Sequence, residues 1–131
     1  MEHAFEQKVF YSDTDAYGVV WHGSYLRWLE MGRVYICEQT GLKLKELEIQ
    51  DIVLPVSNIN VKYKQSAKLD DEIIIQTKIA DTGRFYIDFI QTIIDKSTKK
   101  TYIEATVRVV AIHKDGTLYR SLPKQLDKLL A

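Results

Sequence analysis

A single cysteine, three histidines and no surplus of either charge leave this 131-residue chain without several common chemistries. Cys37 alone cannot close an internal disulfide, and with so few histidines it sets aside a Cys/His zinc site. Eighteen basic residues balance eighteen acidic ones. That balance argues against a general nucleic-acid or anionic-membrane footprint, so any basic site for a phosphorylated ligand is local. No apolar run is long enough to span a bilayer, and no membrane insertion is expected. The opening Met1-Glu2-His3-Ala4-Phe5-Glu6 lacks the basic and apolar regions of a signal peptide, which makes the cytoplasm the expected location.

What remains is enough for one core. The apolar fraction of 46% and the charged fraction of 27% are those of a globular protein, and the length fits one domain over residues 1–131. Alternation predicts a strand over Phe5–Tyr11, followed by a Ser12-to-Gly18 segment of turn residues. Ser24 reads as an N-cap and Gly41 as the exit of a long helix over Tyr25–Thr40. That helix is apolar around most of its circumference, with a polar strip at Arg27, Glu30 and Glu38, so it is expected to be buried on several sides. A short helical piece is expected at Leu44–Ile49.

Extended segments then follow at Val53–Lys64, Glu72–Ala80, Phe85–Ile90 and Tyr102–Ile112. Pro55 marks an edge or a strand start, and Asp81-Thr82-Gly83 a hairpin. Pro123 opens a C-terminal helix through Leu130. The expected class is α+β: a curved antiparallel sheet of about five strands wrapped around one long central helix, plus a short C-terminal helix. Such a sheet leaves an open edge, which favours association of copies.

The chemistry concentrates in Tyr11-Ser12-Asp13-Thr14-Asp15-Ala16-Tyr17-Gly18-Val19-Val20-Trp21-His22-Gly23-Ser24-Tyr25. Two carboxylates flank a turn that leads into the helix. The first N–H groups of a helix lack intrahelical partners and carry the positive end of its dipole, so they can stabilise an oxyanion. Asp15 taken alone reads as an Asx-turn carboxylate; its place before this helix makes it the candidate acid, with Asp13 organising the turn. Two carboxylates without further ligands do not make a metal site. Cys37, mid-helix among apolar neighbours, reads as a core residue, and so do Trp28 and the tyrosines unless they meet a second copy. His3 and His113 have no constellation around them.

The run from Asp13 to Leu26 resembles the N-terminal motif of the hotdog-fold acyl-CoA thioesterases, the nearest groups being the aspartate-type 4-hydroxybenzoyl-CoA thioesterases and the Tol–Pal-associated acyl-CoA thioesterases. The resemblance implies a hotdog fold and hydrolysis of an acyl-CoA without cofactor or metal. It places the catalytic carboxylate on Asp15 and the carbonyl-polarising backbone N–H on His22, whose ring can also contribute. Gly18 matches the glycine that turns the backbone beneath the substrate. Tyr17 and Gly23 depart from the motif, and Tyr17 is expected to reshape the acyl pocket. Arg84 aligns with a basic position near the nucleotide, with Lys62, Lys64, Lys99 and Lys100 as further candidates. A homodimer or homotetramer with interface active sites is implied.

Asp15 can act as nucleophile or as general base on water. A hotdog module that binds acyl-CoA without turnover and a hydratase or dehydratase built on His22 with Asp15 are the alternatives. Relatives that carry the carboxylate on the central helix make Glu30 or Glu38 the substitutes for Asp15.

Overall fold

The computed structural model describes residues 1–130. Strand β1 (Glu2–Lys8) leads through a 3-10 turn (Tyr11–Asp13) to the long helix α1 (His22–Gln39) and the short α2 (Leu44–Ile49). Four strands follow: β2 (Val56–Tyr63), β3 (Glu72–Thr82), β4 (Tyr86–Asp95) and β5 (Thr101–Val110). A 3-10 turn (Lys124–Leu126) continues into α3 (Asp127–Leu130) behind Pro123. The sheet order is β1-β3-β4-β5-β2, with every neighbour antiparallel. This is the expected strand–helix–four-strand arrangement. Among the described residues, no helix is long and apolar enough to cross a membrane.

Alternation decides which face of the sheet meets the helix. Ile73, Ile75, Ile87, Phe89, Ile93, Ile103 and Val107 point inward and are buried, against outward Gln76, Lys78 and Glu104. Register shifts in the β3–β4, β4–β5 and β2–β5 ladders add local twist, which lets the sheet curl around α1. Two apolar clusters fill the space. One gathers Trp28, Leu29, Ile75 and Ile103 under the first half of α1; the other gathers Ile36, Cys37, Phe89 and Leu126 under the second. Between them lies a polar band at Gly32. The buried Gln91 amide donates to Leu29 O (2.8 Å) and Thr77 Oγ1 (2.8 Å), and accepts from Arg33 Nη1 (2.9 Å). Each amide atom of this buried side chain is thereby satisfied.

Several boundaries differ from the sequence reading, among them β2, which starts at Val56, and β4, which runs on to Asp95; three differ for a clear local reason. β1 occupies Glu2–Lys8, because Val9 leaves the ladder to exchange backbone bonds with Asp71 and Asp70. α1 begins at His22, and Ser24 is not its N-cap. Trp21 holds the cap position without a side-chain bond, while Ser24 Oγ turns back to donate to Asp13 O at 3.0 Å. β3 runs on through Thr82, so the hairpin turn narrows to Gly83–Phe85. The exit at Gly41 agrees with expectation, since its φ of 87° is the left-handed value that glycine adopts without strain.

Candidate active site

Asp13 is the anchor of the loop between β1 and α1. Only 3% exposed, it takes Arg27 Nη2 at 2.6 Å on one oxygen and the Phe10 N–H at 2.9 Å on the other. Its carbonyl accepts the Trp21 N–H at 2.9 Å as well as the Ser24 hydroxyl. The side chain and the carbonyl together tie the 3-10 turn to the start of α1. Tyr25 adds a second tie, because its hydroxyl accepts the Ala67 N–H at 2.9 Å, and burial pushes its pKa up.

Between those ties the chain makes a tight hairpin. Asp15 N donates to Val19 O (2.8 Å) and Gly18 N to Asp15 O (3.1 Å), with Gly18 at φ 78°. This is a type I turn closed by a glycine in the left-handed region, so Gly18 is where the backbone requires glycine. Asp15 is half-buried. Its Oδ1 accepts the Tyr17 N–H at 2.8 Å, which is the Asx-turn bond, and its Oδ2 accepts none among the described residues. Tyr17 stands at the hairpin tip, 91% exposed.

The helix that follows supplies two unpaired donors. Trp21 N is taken by Asp13 O and Ser24 N by Trp21 O (2.9 Å); the amides of His22 and Gly23 have no acceptor among the described residues. The indole of Trp21 lies over Gly23, in space a Cβ would need, and its ring centroid is 5.0 Å from that of exposed His22. A half-buried carboxylate with a free oxygen thus precedes, by a few residues, a helix start with free N–H groups. That pair can polarise a carbonyl and deliver a nucleophile or a base to it.

Arg84, expected near the nucleotide, is not gathered there. Arg84 is exposed in the β3–β4 hairpin, its carbonyl accepting Leu122 N at 2.8 Å. The Asp15 loop joins the sheet at the other end of β3, through Val9–Asp71 and Val20–Ala67. Eleven residues of β3 separate the two ends, about 33 Å at roughly 3.3 Å per residue. Lys64, Lys99 and Lys100 lie at the Asp15 end, as does Lys68, which bridges to Val19 and was not singled out from sequence. A cavity of about 190 Å³, walled by Glu30, Arg33, Cys37, Leu54, Val56 and Phe89, opens toward the Arg84 end beside α2. A larger groove of about 440 Å³ lies on the outer sheet face over Gln76, Lys78 and Ile90 and holds no such acid–amide pair.

Cys37 is buried and its thiol is pushed up to about 11 by desolvation, which fits a core role and no nucleophile. Trp28 is fully buried in the core, whereas Tyr11, Tyr17 and Tyr63 are exposed. His3 packs between Phe5 and Tyr35. His113 does have a constellation, contrary to the sequence reading. Its Nδ1 is 2.7 Å from Asp51 Oδ2, its ring stacks on Tyr119 at 3.8 Å, and Tyr119 OH donates to Asp51 O. The partners are more than sixty positions apart, so no local spacing announced them. Among the described residues, no group of His, Cys, Asp and Glu is arranged to hold a metal ion.

Comparison with known proteins agrees with this fold. The family model of the thioesterase-like superfamily matches residues 9–130. The chain is 32% identical to the acyl-CoA thioester hydrolase YbgC of Escherichia coli O6:H1 over 91% of this chain and 88% of that protein. It is also 32% identical to the putative acyl-CoA thioesterase YneP of Bacillus subtilis, over 61% of this chain and 58% of that one. Among solved structures, a 4-hydroxybenzoyl-CoA thioesterase, an Asp-to-Asn mutant complexed with 4-hydroxybenzoyl-CoA, superposes with a TM-score of 0.88 at 21% identity, covering 99% of each chain. Motif, strand order and relatives converge: the chain belongs to the thioesterase-like superfamily and is a hotdog-fold thioester hydrolase.

Proposed function

We propose that this chain, as one hotdog domain, hydrolyses an acyl-CoA to the free acid and CoA, with Asp15 and the His22 N–H as its working groups. The observation that carries the reading is the free Oδ2 of half-buried Asp15, seven residues ahead of a helix start whose His22 and Gly23 amides are unpaired. The thioester oxygen accepts from the His22 N–H, which draws electron density off the carbonyl carbon. In one route Asp15 attacks that carbon, the C–S bond breaks, CoA leaves as thiolate, and water cleaves the mixed anhydride. In the other Asp15 takes a proton from water as the water attacks, and the same C–S bond breaks. A thiolate is a good leaving group, so one carboxylate and one donor suffice.

The site is completed by a second copy. Tyr17 borders the acyl group at the hairpin tip and Gly18 turns the backbone beneath it. The cavity and Arg84 stand at the sheet end opposite their own Asp15. β2 is an open edge with exposed Val56, Ile59 and Tyr63, and pairing two such edges antiparallel brings the Asp15 end of one chain to the Arg84 end of the other. In that homodimer, alone or within a tetramer, Arg84 meets the CoA phosphates of the partner's substrate.

A thiol-release assay over short, long and aromatic acyl-CoAs tests the proposal. Asp15→Asn is expected to lower kcat at least about a hundredfold, the loss of a positioned base or nucleophile. Full activity of that variant transfers the role to Glu30 or Glu38. Tight acyl-CoA binding by wild type without thiol release makes the chain a binding module instead.

A further inference from the structure

The carbonyl of Asp13 accepts two bonds that arrive from either side of the free amides. Trp21 N–H reaches it at 2.9 Å and the Ser24 hydroxyl at 3.0 Å, so His22 and Gly23 lie between the two donors. The two bonds and the chain from Trp21 to Ser24 close a ring, which the bond from Ser24 N–H to Trp21 O (2.9 Å) braces from within. Asp13 O is already satisfied by the Trp21 N–H. The Ser24 bond is therefore not needed to satisfy the backbone; what it adds is constraint. Ser24 is buried, and the one hydrogen of its hydroxyl is committed to this bond.

The same carbonyl ties the ring to the acid. Asp13 O to Trp21 N–H, the Thr14–Val20 bridge, and Asp15 N–H to Val19 O are successive rungs of one small antiparallel ladder. Asp15 thus stands two residues along the hairpin arm from the residue that holds the helix start, about 7 Å at roughly 3.3 Å per residue. The other ties of the loop, Val20 N–H to Ala67 O and the Asp13–Arg27 pair, act outside the ring. With the Trp21 bond alone, the first turn of α1 is left to pivot at two places. One is Trp21, where the backbone passes from extended (φ −65°, ψ 138°) into the helix. The other is Gly23, which has the least conformational restraint of its own. Either pivot re-aims the His22 N–H without altering the chemistry of Asp15.

We propose that Ser24 is a positioning residue for thioester hydrolysis, its bond to Asp13 O setting the angle at which the His22 N–H meets the carbonyl that Asp15 addresses. This deepens the Asp15–His22 reading and rests on it. Ser24 acts through the backbone and not on the substrate, because its hydroxyl hydrogen is spent on Asp13 O. Its loss belongs in the chemical step rather than in binding.

Ser24→Ala tests this. The substitution leaves Asp13 O with the Trp21 N–H and orphans no buried group, and a melting curve checks the fold. For the acyl-CoA that wild type cleaves fastest, kcat is expected to fall about tenfold with KM held within about twofold, as lost alignment at the reacting centre does. Ser24→Thr keeps the hydroxyl and is expected to recover most of that loss. The substrate's own carbonyl gives a readout that a merely structural role would not move. That acyl-CoA, carbon-13 labelled at the thioester and bound to Asp15→Asn, is expected to show by isotope-edited infrared a C=O stretch lowered from its free value by the His22 N–H. In the Asp15→Asn, Ser24→Ala double variant the band is expected to return most of the way to the free value. Should Ser24→Thr prove too large for its buried site, the infrared comparison decides alone. An unchanged kcat in Ser24→Ala, or a lowered band that Ser24→Ala does not move, overturns the positioning role and leaves the Asp15–His22 reading standing. A band already at its free value in Asp15→Asn, or a wild type that cleaves no acyl-CoA, removes that reading and the role of Ser24 with it.

Discussion

Three aspartates show how one residue type takes three fates from its surroundings. Asp13, buried and bonded on both oxygens, is spent on holding the loop. Asp15 keeps one oxygen free at the surface of the same loop. Asp51 lies far from both in sequence role, at φ 65°, clasping the hairpin after β5. The Lys114 N–H first, and His113 second, hold its carboxyl below the usual carboxylate range. A carboxyl lowered by folding contributes its stability above the unfolded pKa of about 4 and loses it as pH falls through the folded value. Asp51→Asn removes the charge in a residue that also tolerates the left-handed region. Its melting temperature is expected to lie below wild type at pH 7, and the gap to close as melts are repeated from about pH 4 downward. A gap that is the same at every pH contradicts a charge-based role. The loop that carries Asp15 was legible in sequence because motif and helix start are contiguous; the Asp51–His113 cluster was not, because folding alone joins its parts.

At the scale of elements, the crossing of α1 over the sheet turns on one missing side chain. A Cβ at Gly32 would run into Thr77 Oγ1, lie 3.0 Å from Gln91 Nε2 and press on Ile75. Alanine is the better helix former by about 1 kcal/mol, while overpacking a filled core costs about 1–3 kcal/mol. Here the obstructing atoms belong to a saturated hydrogen-bond network, so the cost prevails. Gly32→Ala is expected to lower the melting temperature by several degrees, on the order of 3–8 °C, and an equal or higher value would show that α1 can lift off the band. Periodicity made the helix, its exit at Gly41 and the four later strands legible. It misplaced the start of α1, because Ser24 looks like a cap wherever it precedes an apolar run. Its hydroxyl is instead drawn to Asp13 O, a bond that exists only once the loop folds back. β1 slipped for a similar reason: Phe10 and Tyr11 continue the alternation, yet the Asp13 carboxylate captures the Phe10 N–H and winds the chain into a 3-10 turn.

For the whole molecule, the separation of Asp15 from Arg84 is the constraint that matters. The family resemblance implied both for one site, and within one chain they lie at opposite ends of β3. Linear order shows which groups a family uses but not where the fold carries them; that follows from strand register. If each site draws Asp15 from one chain and Arg84 from the other, two defective variants must repair each other. Asp15→Asn homodimers lack the carboxylate in both sites, and Arg84→Glu homodimers lack the phosphate contact in both. A mixed dimer gathers both defects into one site and leaves the other whole. Equal mixing makes half of the dimers mixed, so activity should recover to roughly a quarter of wild type by random assortment in a two-fold dimer. The measurement is thiol release at low acyl-CoA concentration after the two variants have been co-refolded. Activity no higher than the mean of the parents would mean that each chain binds and cleaves its substrate alone. The open edge of β2 would then need a different explanation, since a site whose parts reside in one chain gives an exposed row of backbone donors and acceptors no catalytic reason to be covered.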